Sequence, residues 1–250
     1  ESDLAAEIVI TQSSVSVILE EDLTDVERPN IKGGSPTHVA IPRSPVISRF
    51  MEYLSCLYQW FEGLSGGKKM DYSHIPLLIF GMSRKITIDP RLVNLAFGDD
   101  PQSKLNICLA NILAKYEEYA DIRGAQIVFS DLYQLTVNGD VLFNAWRELK
   151  NKLVERGIPE EEIAVISDYN TDARRAEVFA KVNTGEIRVI IGSTGKLGTG
   201  VNIQERLAVA HFLDTPFTPA DMTQRLGRLW EDSHNRPYEK SKFMGSLYFR

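Results

Sequence analysis

The residues in this sequence that are best suited to chemistry lie between positions 187 and 228. A buried-strand pattern, Val189-Ile190-Ile191, leads directly into a run of glycine, serine and threonine that ends at Gly200. Small side chains in such a run leave backbone N–H groups exposed, and these groups can hold phosphate oxygens. The segment therefore predicts a phosphate-binding turn.

A second strand pattern and a helix rich in arginine follow this turn. The strand, residues 208–213, ends on Asp214, and two prolines then precede a helix that carries Gln224, Arg225 and Arg228. Paired guanidinium groups bind phosphate or carboxylate in a bidentate manner. Because ligands of open α/β sheets bind outside the carboxyl ends of the strands, the turn and Asp214 are expected to line one cleft. We expect a cleft for polyphosphate or nucleic-acid backbone.

Four motifs, in this order along the chain, resemble those of superfamily 2 helicases and Swi/Snf-type DNA translocases. The segments 82–92 and 126–131 resemble the linker helix and motif IV. Motif V has its counterpart in Gly198, Gly200 and Asn202, which it resembles. The counterpart that resembles motif VI consists of Gln224, Arg225, Gly227 and Arg228. The closest resemblance is to phage- and plasmid-borne helicase/DNA-methylase proteins. It covers about residues 75–230 well and the first 70 residues poorly.

The resemblance implies roles for individual residues. It implies catalytic roles for Arg228, Arg225 and Gln224, in which the two arginines act as arginine fingers. The implied cofactor-binding residues are Gly198, Gly200, Asn202 and Asp214. The implied nucleic-acid-binding residues are Ser130, Asp131, Ser193, Thr194 and Lys196.

The ATP site implied by this resemblance is only half present. ATP hydrolysis needs a phosphate cradle, a magnesium ligand and a group that positions water, and the family draws these from a first RecA-like domain. The sequence has no GxxxxGK[ST] loop. We therefore expect ATP with Mg to be shared with an N-terminal RecA-like domain of the same parent protein. The chain alone, which starts and stops like an excised piece, is not expected to bind ATP tightly or to be active.

One position departs from the resembled motif VI. The family has an arginine where this chain has Glu231, and Asp232 stands beside it. A carboxylate there would repel the γ-phosphate that an arginine would stabilise. Three alternatives stay open: Arg236 takes the role, the protein hydrolyses ATP poorly, or the working pair is only Arg225 and Arg228.

Strand and helix patterns alternate from Gly124 onward. The predicted strands are 125–130, 163–167, 187–192, 208–213 and 246–249, and the predicted helices between them are 140–156 and 172–183. This βαβ repetition predicts an α/β fold with a doubly wound, mostly parallel sheet, and the resemblance makes it a RecA-like helicase C-terminal domain.

The sequence divides into three predicted regions. Residues 1–74 are an N-terminal α/β appendage or the trailing edge of a preceding domain, with strands in 7–19 and 38–42 and a helix from Ser44 to Gly63. Residues 75–123 hold linker helices, and 124–250 form the RecA-like domain. The glycines and lysines of 66–69 lack phosphate-loop spacing and indicate a surface turn.

Several candidate residues also have a purely structural explanation. Ser193 and Thr194 either cap a following helix or contact phosphate, with equal weight. Ser130 and Asp131 either meet nucleic-acid backbone or form a turn.

Other side chains are predicted to serve packing. His211 is expected to be a satisfied core histidine, and the aromatic residues Trp60, Phe143 and Trp146 are expected to pack rather than to stack on bases.

Composition limits the classes of partner. Hydrophobic residues make up 43% of the chain and charged residues 25%, which is ordinary for a globular protein, and the net charge is −6. DNA contact must therefore come from a local basic strip, weak and independent of sequence. Cys56 and Cys108 form no metal or disulfide pattern, which fits a reducing cytoplasm. No 18-residue apolar run exists, so no membrane partner is expected.

The leading hypothesis is the C-terminal motor domain of an ATP-dependent DNA helicase or translocase, with a DNA methylase domain allowed elsewhere in the parent. The alternative is a degenerate RecA-like module that binds a partner protein or DNA backbone without hydrolysing ATP. A nucleotide- or sugar-binding enzyme domain is disfavoured because no GxGxxG follows the first strand. A GxxxxGK[ST] loop upstream in the parent gene would separate the first two hypotheses.

Overall fold

The computed structural model describes residues 37–197, 203 and 205–214 in full, and the backbone of 30–31 and 243–249. The strands are β1 Asn30–Ile31, β2 Thr37–Val39, β3 Ala125–Phe129, β4 Gln134–Val137, β5 Asp140–Asn144, β6 Ile163–Val165, β7 Val189–Gly192, β8 Leu207–Phe212 and β9 Phe243–Phe249. The α-helices are α1 Pro45–Glu62, α2 Gly67–Asp71, α3 Ile75–Ile88, α4 Lys104–Glu118, α5 Ala145–Glu155, α6 Asp172–Thr184 and α7 Thr194–Leu197.

A parallel sheet organises the described part of the chain. Its strand order is β1-β9-β8-β3-β7-β6, β2 pairs with β9 as well, and each of these pairings is parallel. In the described part of the chain, α4, α5 and α6 lie between strands of the sheet and pack on it, as parallel neighbours require. The predicted α/β fold with a mostly parallel sheet is confirmed.

The centre of the sheet is buried and mostly apolar. Every residue of β3, β7 and β8 is buried. Strands covered on both faces are expected to be continuously apolar, and the Val-Ile-Ile run of β7 follows this rule. Phe129 at the end of β3 stacks on Phe212 at the end of β8, with ring centroids 5.3 Å apart. The strand ends that carry the candidate site are thus held in a fixed relation.

Local signals at the helix ends explain several helices. Ser44 caps α1 by accepting a hydrogen bond from the Ile47 N–H, and the helix stops before Gly63. Thr171 caps α6 in the same way, and Gly185 follows that helix in a left-handed conformation with φ of 81°. The predicted helix 172–183 and the helix from Ser44 to Gly63 are confirmed, and α3 and α4 lie in the region 75–123 that was predicted to hold helices.

The predicted helix 140–156 is wrong at its start. Residues 134–144 form the antiparallel hairpin β4–β5, and α5 begins only at Ala145. Asn138 and Gly139 join the two strands with φ of 52° and 92°, and positive φ at both positions is typical of the tight Asn-Gly hairpin turn. Leu142 lies in β5 and is 49% exposed, whereas Trp146 in α5 is buried.

The base of this hairpin is anchored on the neighbouring elements. The ring of Tyr133 stacks on Trp146 with centroids 3.5 Å apart. The Lys85 Nζ of α3 donates to the Gln134 carbonyl at 2.9 Å, and the Arg91 guanidinium lies 4.5 Å from the Phe143 ring. The predicted packing roles of Trp146 and Phe143 are confirmed.

Trp60 does not share the packing role predicted for it. It is 47% exposed on α1 and meets Tyr72 edge to face, with centroids 5.1 Å apart. The surface turn predicted at 66–69 is confirmed in its surface position but not as a turn, because residues 67–69 belong to α2, which has no buried residue.

The strands near the two ends of the described chain lie side by side. Thr37 pairs with Leu247 and Val39 with Phe249, so β2 extends the sheet through β9. The strand predicted at 38–42 is found at Thr37–Val39, and the last strand is longer than predicted. The strands predicted within 7–19 lie outside the described residues, and the three-region division stays a prediction. No helix in the described part of the chain is long and apolar enough to cross a membrane.

Candidate functional site

Three parallel strands end together at the candidate site. Phe129 of β3 is in register with Gly192 of β7 on one side and with Phe212 of β8 on the other. The residues that follow these strands therefore emerge at one edge of the sheet, as expected for a parallel arrangement. They include Ser130, Asp131, Ser193, Thr194 and Asp214.

Asp214 joins the end of β8 to the end of β3. Its side chain is buried, and its Oδ2 accepts hydrogen bonds from the backbone N–H groups of Asp131 and Leu132 at 2.6 and 2.9 Å. The Ser130 Oγ donates to the same oxygen at 3.4 Å. A carboxylate that accepts several hydrogen bonds is a strong local clamp, because charge-assisted bonds exceed neutral ones in strength.

Asp131 joins the end of β3 to the end of β7. Its Oδ1 accepts from the Thr194 N–H at 2.7 Å, and its Oδ2 accepts from the Thr194 Oγ at 2.9 Å. The Ser193 Oγ accepts from the Lys196 N–H at 3.3 Å and so caps the short helix α7. Asp131 and Asp214 thus connect the ends of β3, β7 and β8 by hydrogen bonds. The residues that follow these strand ends, 130–131, 193–194 and 214, form the rim of the sheet.

These contacts bear on the alternatives that the sequence left open. The chain bends at Asp131, Ser193 caps α7, and the Ser130 side chain is buried. Asp131 is exposed on the rim, and Lys196 is partly exposed. Phosphate and nucleic-acid contact by these residues stays a prediction.

Gly192, the last residue of β7, packs closely against its neighbours. This packing role was not predicted from the sequence. A Cβ at this position would lie 2.5 Å from the Ile166 Cγ2 and 2.7 Å from the Leu197 Cδ1. Such distances are shorter than van der Waals contact, so only glycine lets β7 turn into α7 here. In the sequence, the step from the buried strand pattern to Gly192 could have indicated this close packing.

Replacing Asp131 by asparagine should loosen this rim. The new amide can satisfy only one of the two Thr194 donors and points its own N–H₂ at the other, so unfolding in urea should become easier by about 1–3 kcal/mol. Hydrogen exchange at the Thr194 amide should accelerate. Asp121→Asn, at an exposed position on the connection before β3, is the control and should leave both quantities unchanged. An unaltered hydrogen-exchange rate of the Thr194 amide in Asp131→Asn would contradict a stabilising role of the Asp131–Thr194 hydrogen bonds.

The remaining candidate residues lie outside the described part of the chain. They are Gly198, Gly200, Asn202, Gln224, Arg225 and Arg228, together with Glu231 and Arg236. Their segments follow directly after Leu197 and Asp214, the described residues at the rim. Their roles stay predictions.

His211 has the core role predicted for it. It is fully buried in β8, and its Nε2 lies 2.8 Å from the Gln126 Oε1 of β3. Burial, with a smaller contribution from Lys115, lowers the pKa of His211 to about 3. The ring is therefore neutral at physiological pH. No cluster of possible metal ligands occurs among the described residues.

Comparison with known proteins agrees with this geometry. Residues 123–232 match the family model of the helicase conserved C-terminal domain. The chain is similar to the Sulfolobus solfataricus SWI2/SNF2 ATPase core domain, with a TM-score of 0.56 and 14% identity, over 92% of this chain and 41% of that one. It is also similar to the C-terminal part of the Fun30 ATPase domain, with a TM-score of 0.52 and 11% identity, over 89% and 85% of the two chains. Comparison with curated protein sequences gives no match.

These similarities agree with the fold. The sheet has the RecA-like α/β fold, and the segment that matches the helicase conserved C-terminal domain includes β3 to β8 and the rim. The chain spans 41% of the length of the SWI2/SNF2 ATPase core domain that it matches.

Proposed function

We propose that this chain is the C-terminal motor domain of an ATP-dependent DNA helicase or translocase. The observation that carries the proposal is the helicase C-terminal match at 123–232, because this segment contains the rim and both arginine-bearing and glycine-bearing motifs. A domain of this kind works as one wall of a cleft whose other wall is an N-terminal RecA-like domain. We assign that second wall to the same parent protein.

The hydrogen bonds at the rim support this proposal. Groups that stabilise a charged transition state act best when they are held in place before the reaction. Asp214 and Asp131 fix the points at which the segments of motifs V and VI leave the sheet. In the proposed function, Arg228 and Arg225 then approach the phosphates of ATP with Mg, and Gly198, Gly200 and Asn202 couple the nucleotide to DNA.

The parent protein of this domain is part of the proposal as well. The amino-acid sequence of the motifs between residues 193 and 228 supports a relation to phage- and plasmid-borne helicase/DNA-methylase proteins. We therefore propose a cytoplasmic parent that translocates on DNA and allow a DNA methylase domain within it.

A second candidate function rests on Glu231. A carboxylate in place of the usual second arginine weakens the case for efficient ATP hydrolysis. The alternative is a RecA-like module that binds a partner protein or DNA backbone without turnover. DNA-stimulated ATP hydrolysis by the parent protein is the measurement that separates the two functions.

The 250-residue chain alone should bind DNA weakly and hydrolyse no ATP. It lacks the phosphate cradle, and its net charge of −6 opposes a polyanion. Titration of duplex DNA at several salt concentrations should give a slope that corresponds to about two to four phosphate contacts. Saturable ATP turnover that Arg228→Ala abolishes would overturn the half-site proposal, and nanomolar, salt-resistant binding would point to a dedicated DNA reader.

A further inference from the structure

The helices α1 and α3 form a helical layer that is only partly joined to the core of the sheet. Three residues of α1 and two of α3, Ile75 and Ile86, are buried but lie outside the hydrophobic core that surrounds the sheet in the described part of the chain. That core begins with Ile88 at the end of α3 and Leu92 just after it. Buried apolar packing therefore joins the helical layer to the sheet over a short stretch.

Arg91, just after α3, contacts three carboxylates at this junction. Its Nε and one terminal nitrogen donate to the two oxygens of Asp89 at 2.9 and 2.8 Å. The other terminal nitrogen donates to the Glu148 Oε1 of α5 at 2.7 Å, and the Asp99 Oδ1 accepts a further bond at 3.0 Å. One side chain thus connects the end of α3 with α5 and with the segment before α4.

Lys152 of α5 adds a second cation to these contacts. Its Nζ donates to the Asp99 Oδ2 at 2.6 Å and to the Asn106 Oδ1 of α4 at 2.7 Å. It also lies 3.5 Å from the Glu148 Oε1. We call this set of charged side chains the Arg91 network; its members are Asp89, Arg91, Asp99, Glu148 and Lys152.

The start of α1 is joined to the same region. The Ser44 Oγ, which caps α1, donates to the carboxylate of Asp100, and both side chains are buried. The Phe50 ring of α1 meets the Phe97 ring edge to face, with centroids 5.6 Å apart. The segment 97–100 therefore contacts α1 and also, through Asp99, the Arg91 network.

The Arg91 network is shielded from water. The side chain of Asp89 is 0% exposed, that of Arg91 13% and that of Lys152 14%. Exposed ion pairs contribute little to stability, but removing one partner of a buried pair leaves a charge uncompensated and is strongly destabilising. Burial acts to lower the pKa of Arg91, but hydrogen bonds from Asp89 and Glu148 and their charges raise it above its ordinary value. The cation therefore persists at physiological pH.

We infer that the Arg91 network holds the helical layer on the RecA-like sheet, so that α1, α3 and the sheet move as one body. Three members of the network precede the matched segment 123–232 and two lie within it, so the network connects that segment with the chain before it. One consequence rests on the proposed function. The bend that accompanies closure of the ATP cleft in the parent protein lies outside residues 45–155.

Hydrogen exchange of backbone amides tests the inference on the 250-residue chain, without ATP or DNA. In the wild type, the amides of α1 and α3 should be protected from exchange. Arg91→Met removes the charge, keeps most of the side-chain length and leaves Asp89 buried without its cation. Amides of α1 and α3 should then exchange about tenfold faster than in the wild type, whereas those of β3 and β7 should change much less.

Three further variants control this measurement. Arg49→Met makes the same change at an exposed position on α1 and should leave exchange unchanged. Arg91→Lys keeps the charge but loses the planar fork, so it should accelerate exchange less than Arg91→Met. Glu148→Gln leaves the pair of Arg91 and Asp89 intact and should accelerate exchange in α3 in the same direction. It decides the question if Arg91→Met does not fold.

Three outcomes overturn the inference. Unprotected amides in α1 and α3 of the wild type would show that the helical layer is not held on the sheet. Equal acceleration of all elements in Arg91→Met would make the network a general source of stability, and unchanged exchange would deny it any role. None of these results depends on the motor. A parent without DNA-stimulated ATP hydrolysis would refute the proposed function and leave the attachment of the helical layer standing.

Discussion

If motif VI works as proposed, replacing Arg228 by alanine in the parent protein should lower ATP turnover by about three orders of magnitude, the scale of a lost arginine finger, while DNA binding stays near normal. The reason is that a guanidinium facing the γ-phosphate stabilises charge that develops only in the transition state. Steady-state ATP hydrolysis at saturating DNA, with DNA affinity measured in parallel, checks this expectation.

The neighbouring charges supply the controls for Arg228. Glu231 is three residues further along the predicted helix and is expected on the same face. Glu231→Arg should raise turnover if the protein is a weakened ATPase. If Arg236 already fills the role, Glu231→Arg should change nothing and Arg236→Ala should reduce turnover. No effect from any of the three substitutions in a folded parent would leave the interaction module as the better function.

Replacing Trp146 by alanine should destabilise the domain by about 3–5 kcal/mol, the usual cost of removing a fully buried tryptophan. Trp146 is 1% exposed and stacks on Tyr133 at the base of the hairpin. Its Nε1 has no hydrogen-bond partner among the described residues. Trp146→Phe should therefore cost much less than Trp146→Ala, because it removes an unsatisfied donor together with part of the ring. Urea unfolding monitored by circular dichroism measures both free energies.

Trp60→Ala is the matched control for Trp146→Ala. Trp60 is 47% exposed, so its truncation should cost about 1 kcal/mol or less. Equal destabilisation by Trp60→Ala and Trp146→Ala would contradict the core described here. Since Trp146 follows the hairpin directly, an excess loss of order at 134–144 in Trp146→Ala would identify it as the anchor of β4–β5.

The parts of the fold that the sequence predicted well are those governed by local signals. Caps such as Ser44 and stops such as Gly185 act within a few residues, and buried β-branched runs identify β7 and β8 without knowledge of their neighbours. The hairpin was missed although Asn138-Gly139 signals it, because a helical pattern starting at 145 was extended too far toward the N-terminus. The Asn-Gly turn signal is local, but the helical periodicity of the residues after 145 was given more weight.

The site was predicted in outline because parallel strands end at one edge. Asp131 and Asp214 were assigned separate ligand roles, whereas the structure makes them partners in one network. Such pairing joins residues 83 positions apart, and no pattern in the sequence specifies it.

The pairing of β2 with β9 has a consequence for synthesis of the chain. Thr37 lies beside Leu247, about 200 residues later, in parallel register. At typical ribosomal rates roughly 10–40 s separate the appearance of the two strands. Contacts this remote in sequence close late, because the entropy of the intervening loop must be overcome first. The residues around β2 therefore remain without their sheet neighbour until β9 has been synthesised, and β9 is the strand that joins β1 and β2 to the rest of the sheet.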